Sequence, residues 1–406
     1  MKFALLHERK ATGDKRVLFS PLQLAKLKKN YPKHQFIVES SPTRCFTNQE
    51  YRNQGITVRK NITDCDIFLG IKEIPSAFLI AGKTYFFFSH TTKMQSHNKG
   101  YLKKLKETRI NFFDYENFTD PSGNRLIAFG KSAGQIGAYH AIRTYGLKQQ
   151  LFNLPNPHHC NTVNELHFFA TNSNLPPVKI VVTGTGNVGT GIADFFNTVG
   201  IRKISPADFL NKTYTTPTFT QLSKKEYLAH KKNNSFNNQD FKKNPDFYKS
   251  DFLKYAQQAD ILVAGHYYHK GMPLFFTAKE IQSLGFKINT IADISCDILA
   301  PLPTCLRVST PKNPIYGYHK HTGLETDFLT PESIAVMAVD NLPCELPITS
   351  SINFGKQFID NILPFINKDL NHPILQKAWV LKNGTFTQKF SYLEAFIATE
   401  TYQFSQ

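Results

Sequence analysis

Short apolar runs alternate with segments of helical periodicity along the first third of the chain. Strands are predicted at residues 2–6, 35–39, 66–71, 84–89 and 110–113. Helices are predicted between them, at residues 22–30, 48–54 and 101–106. Short apolar strands that alternate with helices are typical of an open, mostly parallel α/β sheet.

A helix is predicted over residues 130–145, where Gly130, Gly134, Gly137 and several alanines recur at helical spacing. Small side chains on one face allow a neighbouring element to approach closely. We therefore expect this helix at the joint between two domains, followed by a loop at residues 153–157.

A second unit begins at Lys179 with a strand, a glycine turn, a helix and another strand. Residues 260–264 and 289–295 predict two further buried strands. Thr330 as N-cap and Pro331 at the first helical position predict a helix to about residue 340, which returns the chain to the first domain.

Composition limits the class of protein. The chain has 406 residues, 41% of them hydrophobic, which is enough for two domain cores. No apolar run approaches the roughly 18 residues of a membrane helix, and the N-terminus turns polar too soon for a signal peptide, so a cytoplasmic protein that does not contact a membrane is expected. Six scattered cysteines without a CxxC pair predict neither a disulfide framework nor a metal site.

The net charge of +17 could indicate nucleic-acid binding. Lysines are spread along the chain, however, only residues 224–243 are locally dense, and no helix-turn-helix, zinc-finger or RNP signature accompanies them. We expect no nucleic-acid partner. The same positive field suits acidic small-molecule substrates and a phosphorylated cofactor.

A glycine-rich turn follows the apolar strand at residues 178–183 and precedes a helical segment at 192–197. The turn has the GxGxxG spacing, and its candidate cofactor-binding residues are Gly184, Gly186, Asn187, Val188 and Gly189. In this context the glycines permit a tight turn and close approach of a pyrophosphate to a helix N-terminus. The alternative is an ordinary glycine-rich turn between strand and helix.

The next strand along the chain, at residues 202–204, would end in Asp or Glu if it bound an unphosphorylated adenosine ribose. Ser205 stands there, with Arg202 and Lys203 close by. The missing carboxylate leaves both NAD and NADP open, and the basic pair is equally compatible with solvated surface.

Lys72 and His90 follow two strands of the first domain, and ligands of open α/β sheets bind at the carboxyl ends of strands. A partly desolvated lysine beside a histidine is a usable acid–base pair near neutral pH. His90 alone would more readily be a structural histidine at a strand end. Its pairing with Lys72 favours the catalytic interpretation.

Further polar residues follow other predicted strands. Glu116 ends one strand, and a surface ion pair is an equally good interpretation of it. Arg125 lies in the segment that leads to Gly130. Asp293 and Asp297 follow a buried strand of the second domain, where they would contact the nicotinamide side of the cofactor.

As an ordered set, the motifs resemble the saccharopine dehydrogenase/lysine–2-oxoglutarate reductase family, which is related to alanine dehydrogenase and the transhydrogenase alpha subunit. The matching segments are DKRV (14–17), GIKEIP (70–75), FSH (88–90), FDYE (113–116), RLIAFGKSA (125–133), TGTGNV (183–188), ISP (204–206), ADISCD (292–297) and VDNLPCELP (339–347). They span nearly the whole chain.

The resemblance implies a formate/alanine dehydrogenase-like arrangement of two doubly wound Rossmann-like domains around a central cleft. Residues 1–145 with 341–406 would form the catalytic domain, and residues 146–340 the dinucleotide domain, with an insertion at about 210–255. An amino acid and a 2-oxo acid would be the substrates, and NAD or NADP the cofactor.

The resemblance also assigns roles to residues. Lys72 and His90 would be the acid–base pair, and Arg16 would grip a substrate carboxylate. Glu73 and Glu116 would hold an ammonium group or tune the pair. Lys93 is a further candidate clamp for carboxylates, as is Arg125, which is also a candidate cofactor contact.

Three functions follow, with the reductase first. Alanine dehydrogenase, or another amino-acid dehydrogenase, shares Arg16, Lys72 and His90 and is the second. A non-catalytic dinucleotide-binding regulator is the third, and the intact Lys72/His90 pair argues against it. The segment 299–301 departs from the family, where a glycine often stands. The oligomeric state stays open.

Overall fold

The computed structural model of the chain describes residues 1–9, 13–367 and 370–399. These residues fold into two compact units. The first unit combines Met1–Phe129 with the described residues from Pro347 onward, and the second is Gly130–Leu346. The sequence predicts bounds near residues 145 and 341. The chain in fact passes between the units at 129/130 and 346/347.

Strands make up the two large sheets and one small sheet. In chain order they are β1 (Lys2–Leu5), β2 (Gln35–Glu39), β3 (Thr57–Arg59), β4 (Ile67–Leu69), β5 (Thr84–Phe87), β6 (Asn111–Asp114), β7 (Lys179–Thr183), β8 (Arg202–Lys203), β9 (Thr218–Leu222), β10 (Leu228–His230), β11 (Tyr248–Ser250), β12 (Ile261–Ala264), β13 (Thr290–Asp293), β14 (Ile315–His319), β15 (Glu325–Thr326), β16 (Ser333–Met337), β17 (Trp379–Lys382) and β18 (Thr385–Phe386).

Helices flank these sheets, and several single turns of 3₁₀ helix connect the elements. The α-helices are α1 (Pro21–Asn30), α2 (Asn48–Asn53), α3 (Lys99–Glu107), α4 (Gly130–Lys148), α5 (Val163–Thr171), α6 (Asn187–Thr198), α7 (Pro206–Asn211), α8 (Lys224–Tyr227), α9 (Asn238–Lys243), α10 (Leu253–Ala256), α11 (Ala278–Ile281), α12 (Pro347–Asn361), α13 (Leu363–Ile366), α14 (Pro373–Ala378) and α15 (Tyr392–Ala398).

The sheet of the first unit has the order β18-β17-β6-β5-β4-β1-β2-β3. Its six N-terminal strands are parallel and follow the order 3-2-1-4-5-6 of a doubly wound nucleotide-binding fold. Phe3 and Leu5 pack into one buried cluster and Ala4 and Leu6 into another, so both faces of β1 are covered. The antiparallel pair β17–β18 extends the sheet at β6.

The sheet of the second unit has the order β15-β14-β16-β13-β12-β7-β9-β8. Six of its strands are parallel, and β14 and β15 add an antiparallel edge. The segment 210–255, predicted as an insertion, contributes β9 to this sheet and forms the separate antiparallel pair β10–β11. The predicted α/β class with two Rossmann-like sheets is confirmed.

The helix predicted from Thr330 to about residue 340 is wrong. Pro331 lies in a turn, where the Ser333 N–H donates to the Thr330 carbonyl, and the chain then enters β16. All five residues of β16 are buried, and the strand pairs with β13 on one side and β14 on the other. Burial on both sides overrides the helix-start signal, because a central strand needs the apolar Ile-Ala-Val-Met run.

The small residues of α4 do allow a close approach, and the neighbour is α6 in the same unit. A Cβ atom at Gly134 would lie 2.1 Å from the Val188 carbonyl oxygen, and one at Gly191 would lie 2.2 Å from the Lys131 carbonyl oxygen. Both distances are impossible for a side chain, so the two helices pack backbone to backbone. This packing fixes the position of α6 and of the glycine turn before it.

Candidate functional site

Four neighbouring parallel strands of the first unit, β1, β4, β5 and β6, end at one edge of the sheet. We call it the carboxyl edge. Chemistry-bearing residues follow each strand there. They are Glu8 after β1, Lys72 and Glu73 after β4, His90 after β5 and Glu116 after β6. Lys72, Glu73, His90 and Glu116, which the sequence predicted as site residues, therefore all follow strands that end at this edge, and Glu8 is an addition.

Glu116 lies at the centre of a cluster formed by two cations and a histidine. Its Oε1 lies 3.0 Å from Lys93 Nζ, 3.4 Å from His90 Nδ1 and 3.4 Å from Arg125 Nη2. Burial alone would raise the pKa of this carboxyl, but the hydrogen bond from His90 and the charge of Lys93 outweigh it and lower the pKa to about 2. Glu116 is therefore ionised at neutral pH.

The Glu116 cluster has more positive than negative charge at its surface. The Glu116 side chain is 6% exposed, whereas those of Lys93 and Arg125 are 52% and 43% exposed. One buried carboxylate thus faces two cations that remain open to solvent. Such an arrangement can accept an anionic ligand without losing its internal ion pairs.

His90 is held by its backbone and by its neighbours. It adopts the left-handed conformation, with φ of 58°, and its carbonyl accepts a hydrogen bond from Asn98 Nδ2 at 3.1 Å. The preceding Ser89 hydroxyl donates to Asp114 Oδ2 at 2.5 Å. Burial raises the pKa of Asp114 to about 6. A non-glycine residue in this backbone region is uncommon and is found more often at functional sites.

Lys72 is half-buried, and its backbone is anchored by Glu8. Glu8 Oε1 accepts the Ile71 N–H at 2.7 Å, and Glu8 Oε2 accepts the Lys72 N–H at 2.8 Å. Burial raises the pKa of Glu8 to about 7, and the two backbone N–H groups oppose that rise. Glu73, also half-buried, follows directly, and its charge adds to burial in raising the pKa of Tyr101.

Arg16 is bound to a neighbour within the protein. Its side chain is buried and makes a bidentate pair with Asp14, with Nε to Oδ1 at 3.0 Å and NH2 to Oδ2 at 2.7 Å. Burial would raise the pKa of Asp14, but the hydrogen bonds and charge of Arg16 lower it. The guanidinium also lies over the Phe129 ring, 4.3 Å from its centroid. Lys93 and Arg125, whose side chains are exposed, are therefore better placed than Arg16 to bind the carboxylate of a ligand.

The glycine turn of the second unit joins β7 to α6. Gly184 has φ of 95°, and a Cβ atom there would lie 2.5 Å from the Gly265 carbonyl oxygen. A Cβ atom at Gly189 would lie 2.1 Å from the Gly184 carbonyl oxygen. Gly186, by contrast, has nothing within 4 Å of its Cβ position. Gly184 and Gly189 are thus required by close backbone contacts within the protein. Gly186 has no such contact, and its side of the turn is open to solvent.

That exposed face lies at the N-terminus of α6. Gly186 is the N-cap residue, Asn187 is exposed and Val188 is half-buried. The first backbone N–H groups of a helix have no partner within it, and the helix dipole adds positive potential. The turn therefore fits a pyrophosphate, and the candidate residues 184–189 would hold it.

Ser205 does not occupy the position that the ribose argument requires. β8 lies at the sheet edge, and β9 stands between it and β7. Ser205 instead caps α7, accepting the Asp208 N–H at 3.0 Å. The strand beside β7 ends at Leu222. The sequence argument took β8 as the neighbour of β7 because it is the next strand along the chain, but the neighbour of β7 in the sheet is β9.

Asp293 is the last residue of β13 and is buried. Its Oδ1 accepts the Ser295 hydroxyl at 2.6 Å and the N–H groups of Ser295 and Cys296 at 3.0 and 3.2 Å. Burial raises its pKa. Asp293 thus closes a turn, whereas the half-buried Asp297 beside it has its pKa raised to about 6 by burial and by the charge of Asp293.

Sequence reasoning assigned no role to Glu8, Asp14 or Asp114. Glu8 and Asp114 lie at the ends of β1 and β6, so the rule that selected Lys72 and His90 also points to them. Asp14 carried no such signal, because it belongs to a loop. Within the described ranges, no group of three or more His, Cys, Asp or Glu side chains could hold a metal ion, and all six cysteines are free.

No helix in the part of the chain that the structure describes is long and apolar enough to span a membrane.

The chain is similar to known proteins over its N-terminal region and over most of its length. Residues 4–136 match the family described as "Alanine dehydrogenase/PNT, N-terminal domain". The mitochondrial alpha-aminoadipic semialdehyde synthase of Mus musculus is 25% identical over 413 residues, which cover 89% of this chain and 44% of that protein. The chain thus spans less than half of that relative's length.

A second relative is matched along most of both chains. "Saccharopine dehydrogenase [NAD(+), L-lysine-forming]" of Yarrowia lipolytica is 22% identical over 358 residues, which cover 82% of this chain and 85% of that protein. A solved L-alanine dehydrogenase covers 98% of this chain with a TM-score of 0.64 at 15% identity, which shows a shared fold. Residues 4–136 are therefore similar to the alanine dehydrogenase/PNT N-terminal domain, and the chain over most of its length is similar to the saccharopine dehydrogenase family, as its motifs predict.

Proposed function

We propose that this protein is an NAD- or NADP-dependent oxidoreductase acting on the C–N bond of an amino acid, and specifically a lysine–2-oxoglutarate reductase (saccharopine dehydrogenase, L-lysine-forming). The observation that carries the proposal is the carboxyl edge of the first unit, where Lys72 follows β4 and where His90 follows β5 and contacts Glu116. The edge holds groups for proton transfer and cations for carboxylates. Both are needed to join an amine to a 2-oxo acid.

The dinucleotide is proposed to bind at the glycine turn of the second unit. Gly184, Gly186 and Gly189 with the N-terminal N–H groups of α6 would hold the pyrophosphate. When bound, the nicotinamide supplies or accepts a hydride. Glu226, in α8 after β9, already accepts the Ser223 N–H at 2.8 Å and the Ser223 hydroxyl at 2.5 Å as the capping-box residue, so this carboxylate does not indicate a preference for NAD or NADP.

The protein's own residues move the protons that precede hydride transfer. Attack of the lysine ε-amine on the keto carbon gives a carbinolamine, and loss of water gives an imine. The amine must lose protons and the departing hydroxyl must gain one. Glu116 engages His90 Nδ1, so the proposal assigns His90 Nε2 to exchange a proton with the substrate. The Lys72 amine is the second proton-transfer group.

Substrate carboxylates are proposed to bind the exposed cations. The 2-oxo acid and the amino acid carry several carboxylates, and Lys93 and Arg125 are open to solvent while Glu116 keeps them in place. Glu73 is proposed to contact the ammonium group. Arg16 is proposed to contribute through its buried ion pair with Asp14, because the charges of that pair act on Glu8 and the charge of Lys72 acts on Asp14.

The relatives that are similar in sequence support a reductase function over an alanine dehydrogenase function. The matches to saccharopine dehydrogenase and alpha-aminoadipic semialdehyde synthase extend over most of this chain. The likeness to L-alanine dehydrogenase is a likeness of fold. The resemblance also implies that alanine dehydrogenases lack the segment 210–255, which this chain has.

The test is oxidation of NADH or NADPH in the presence of 2-oxoglutarate, with lysine, ornithine or ammonia as the amine. Turnover with lysine and formation of saccharopine by mass spectrometry are expected. Turnover only with pyruvate and ammonia would replace the reductase by alanine dehydrogenase. Dinucleotide binding by calorimetry without turnover on any amine would indicate a regulator. Glu107→Gln, a change of an exposed helix residue, is the neutral control.

A further inference from the structure

Glu8 occupies a position where the β-sheet ladder has already ended. β1 and β4 pair up to Leu5 and Leu69, and the Leu6 N–H still donates to the Leu69 carbonyl at 2.9 Å. Beyond this point the Glu8 side chain takes the place of a strand. Its two oxygens accept the consecutive N–H groups of Ile71 and Lys72.

The other side of the same segment is fixed by β5. The Gly70 N–H donates to the Phe86 carbonyl at 3.0 Å, and the Phe88 N–H donates to the Ile71 carbonyl at 2.9 Å. Residues 70–72 are therefore held between a strand and a carboxylate. Because Ile71 is fully buried, the direction in which Lys72 leaves the segment is set by these contacts.

The buried surroundings of Glu8 disfavour the charged form of its carboxyl group. Burial raises the pKa of Glu8 to about 7. The buried Tyr115 hydroxyl has no hydrogen-bond partner among the described residues, and the charge of Glu8 adds to burial in raising its pKa. A neutral acceptor would satisfy backbone N–H groups at lower cost. The hydrogen bonds from the Ile71 and Lys72 N–H groups, at 2.7 and 2.8 Å, hold the carboxyl in place against that cost.

We propose that Glu8 is a positioning residue for Lys72, fixing the backbone of the segment so that the amine is presented at the carboxyl edge. This inference rests on the proposed function of Lys72 in proton transfer. Glu8 acts through two backbone hydrogen bonds and does not itself need to touch the substrate.

Glu39 offers a matched control one strand away. It ends β2, is buried, and its Oε2 accepts the His7 N–H at 2.9 Å, while Oε1 pairs with Arg9. Glu39 and Glu8 thus share residue type, a location at the carboxyl end of a parallel strand, and a backbone N–H group as hydrogen-bond donor. Only Glu8 holds the segment that carries Lys72.

The first measurement uses the free protein without any substrate. Wild type, Glu8→Gln and Glu39→Gln are pulse-labelled with acetic anhydride, and the rate at each lysine is read by mass spectrometry. Glu8→Gln should change the rate at Lys72 by about tenfold or more, the factor that corresponds to loss of a hydrogen bond to a charged group. Rates at Lys224 should stay unchanged, and Glu39→Gln should alter neither. An unchanged Lys72 rate in folded Glu8→Gln overturns the inference.

The second measurement uses kinetics in the holoenzyme. Glu8→Gln should lower kcat by about tenfold with unchanged dinucleotide Kd, and should add less than about twofold in a Lys72→Met background. An equal loss in both backgrounds would mean a general structural role and overturn the inference. If Glu8→Gln fails to fold, Glu8→Asp, which keeps the charge but is shorter by one methylene, replaces it in both measurements. The labelling experiment needs no substrate and can therefore be interpreted even if the protein does not turn over lysine. A failure of the proposed function is thus distinguished from a failure of the inference about Glu8.

Discussion

Replacement of Glu116 by Gln tests the electrostatics of the cluster directly. Glutamine keeps the shape of the protonated acid and removes its charge. Lys93 and Arg125 would then face one another without a counter-charge, and His90 would lose its carboxylate partner. We expect the variant to be less stable than wild type at neutral pH.

The magnitude follows from the pKa. A carboxyl whose pKa falls from 4.5 to about 2 on folding contributes about 3 kcal/mol above the higher value. Water around the exposed Lys93 and Arg125 side chains reduces this toward about 2 kcal/mol. Because the folded pKa is lowered, the contribution is complete above about pH 4.5 and is lost as pH falls toward 2. At pH 3 less than half of it should remain.

The assay is urea denaturation followed by tryptophan fluorescence. Trp379 is the single tryptophan and is buried in the unit that contains Glu116, so it reports unfolding of that unit. The difference between wild type and Glu116→Gln should be about 2–3 kcal/mol at pH 7 and shrink at pH 3. Glu107→Gln, at an exposed ion pair with Lys104, should change little at either pH. Equal stability at pH 7 would refute the charge argument, and an undiminished difference at pH 3 would assign the loss to packing.

Three further predictions address the chemistry, the cofactor and the packing. Lys72→Met and His90→Gln should each lower turnover by about 10²–10⁴-fold, with the double variant little worse than the poorer single; a well-folded, active His90→Gln protein would end the acid–base assignment. Gly186→Val should lose dinucleotide affinity by calorimetry because its Cβ would fill the open face of the turn, whereas Gly100→Val, also open at Cβ, should bind normally. Gly134→Ala should cost about 1–3 kcal/mol or more in denaturation followed by circular dichroism, since its Cβ would meet a carbonyl of α6, and wild-type stability would contradict that packing.

Local patterns predicted most of the first unit. The five predicted strands and three predicted helices correspond to β1, β2, β4, β5, β6, α1, α2 and α3. Their ends carry their own signals. Ser20 and Thr47 cap α1 and α2 through capping boxes with Gln23 and Glu50. These elements were predictable because period, cap and turn residues all lie within a few positions of one another.

Long-range pairing decided the elements that the sequence missed or misassigned. β16 begins after Thr330-Pro331, a good helix start, yet its five residues are buried between β13 and β14. β9 lies inside a polar stretch and still takes the place beside β7. Neither strand can be recognised without knowing its partners, which lie far away in the sequence.

The sequence by itself determined the residue types of the site and the strands that they follow. Lys72, His90 and Glu116 could be selected because parallel strands bring their carboxyl ends to one edge. The tertiary structure alone decided which groups pair. It paired Arg16 with Asp14, grouped Arg125 with Glu116, and placed Glu8 against the Lys72 backbone. Glu8 and Lys72 are far apart in the sequence, and the two ion pairs depend on how loops fold, so no periodicity along the chain encodes any of these contacts.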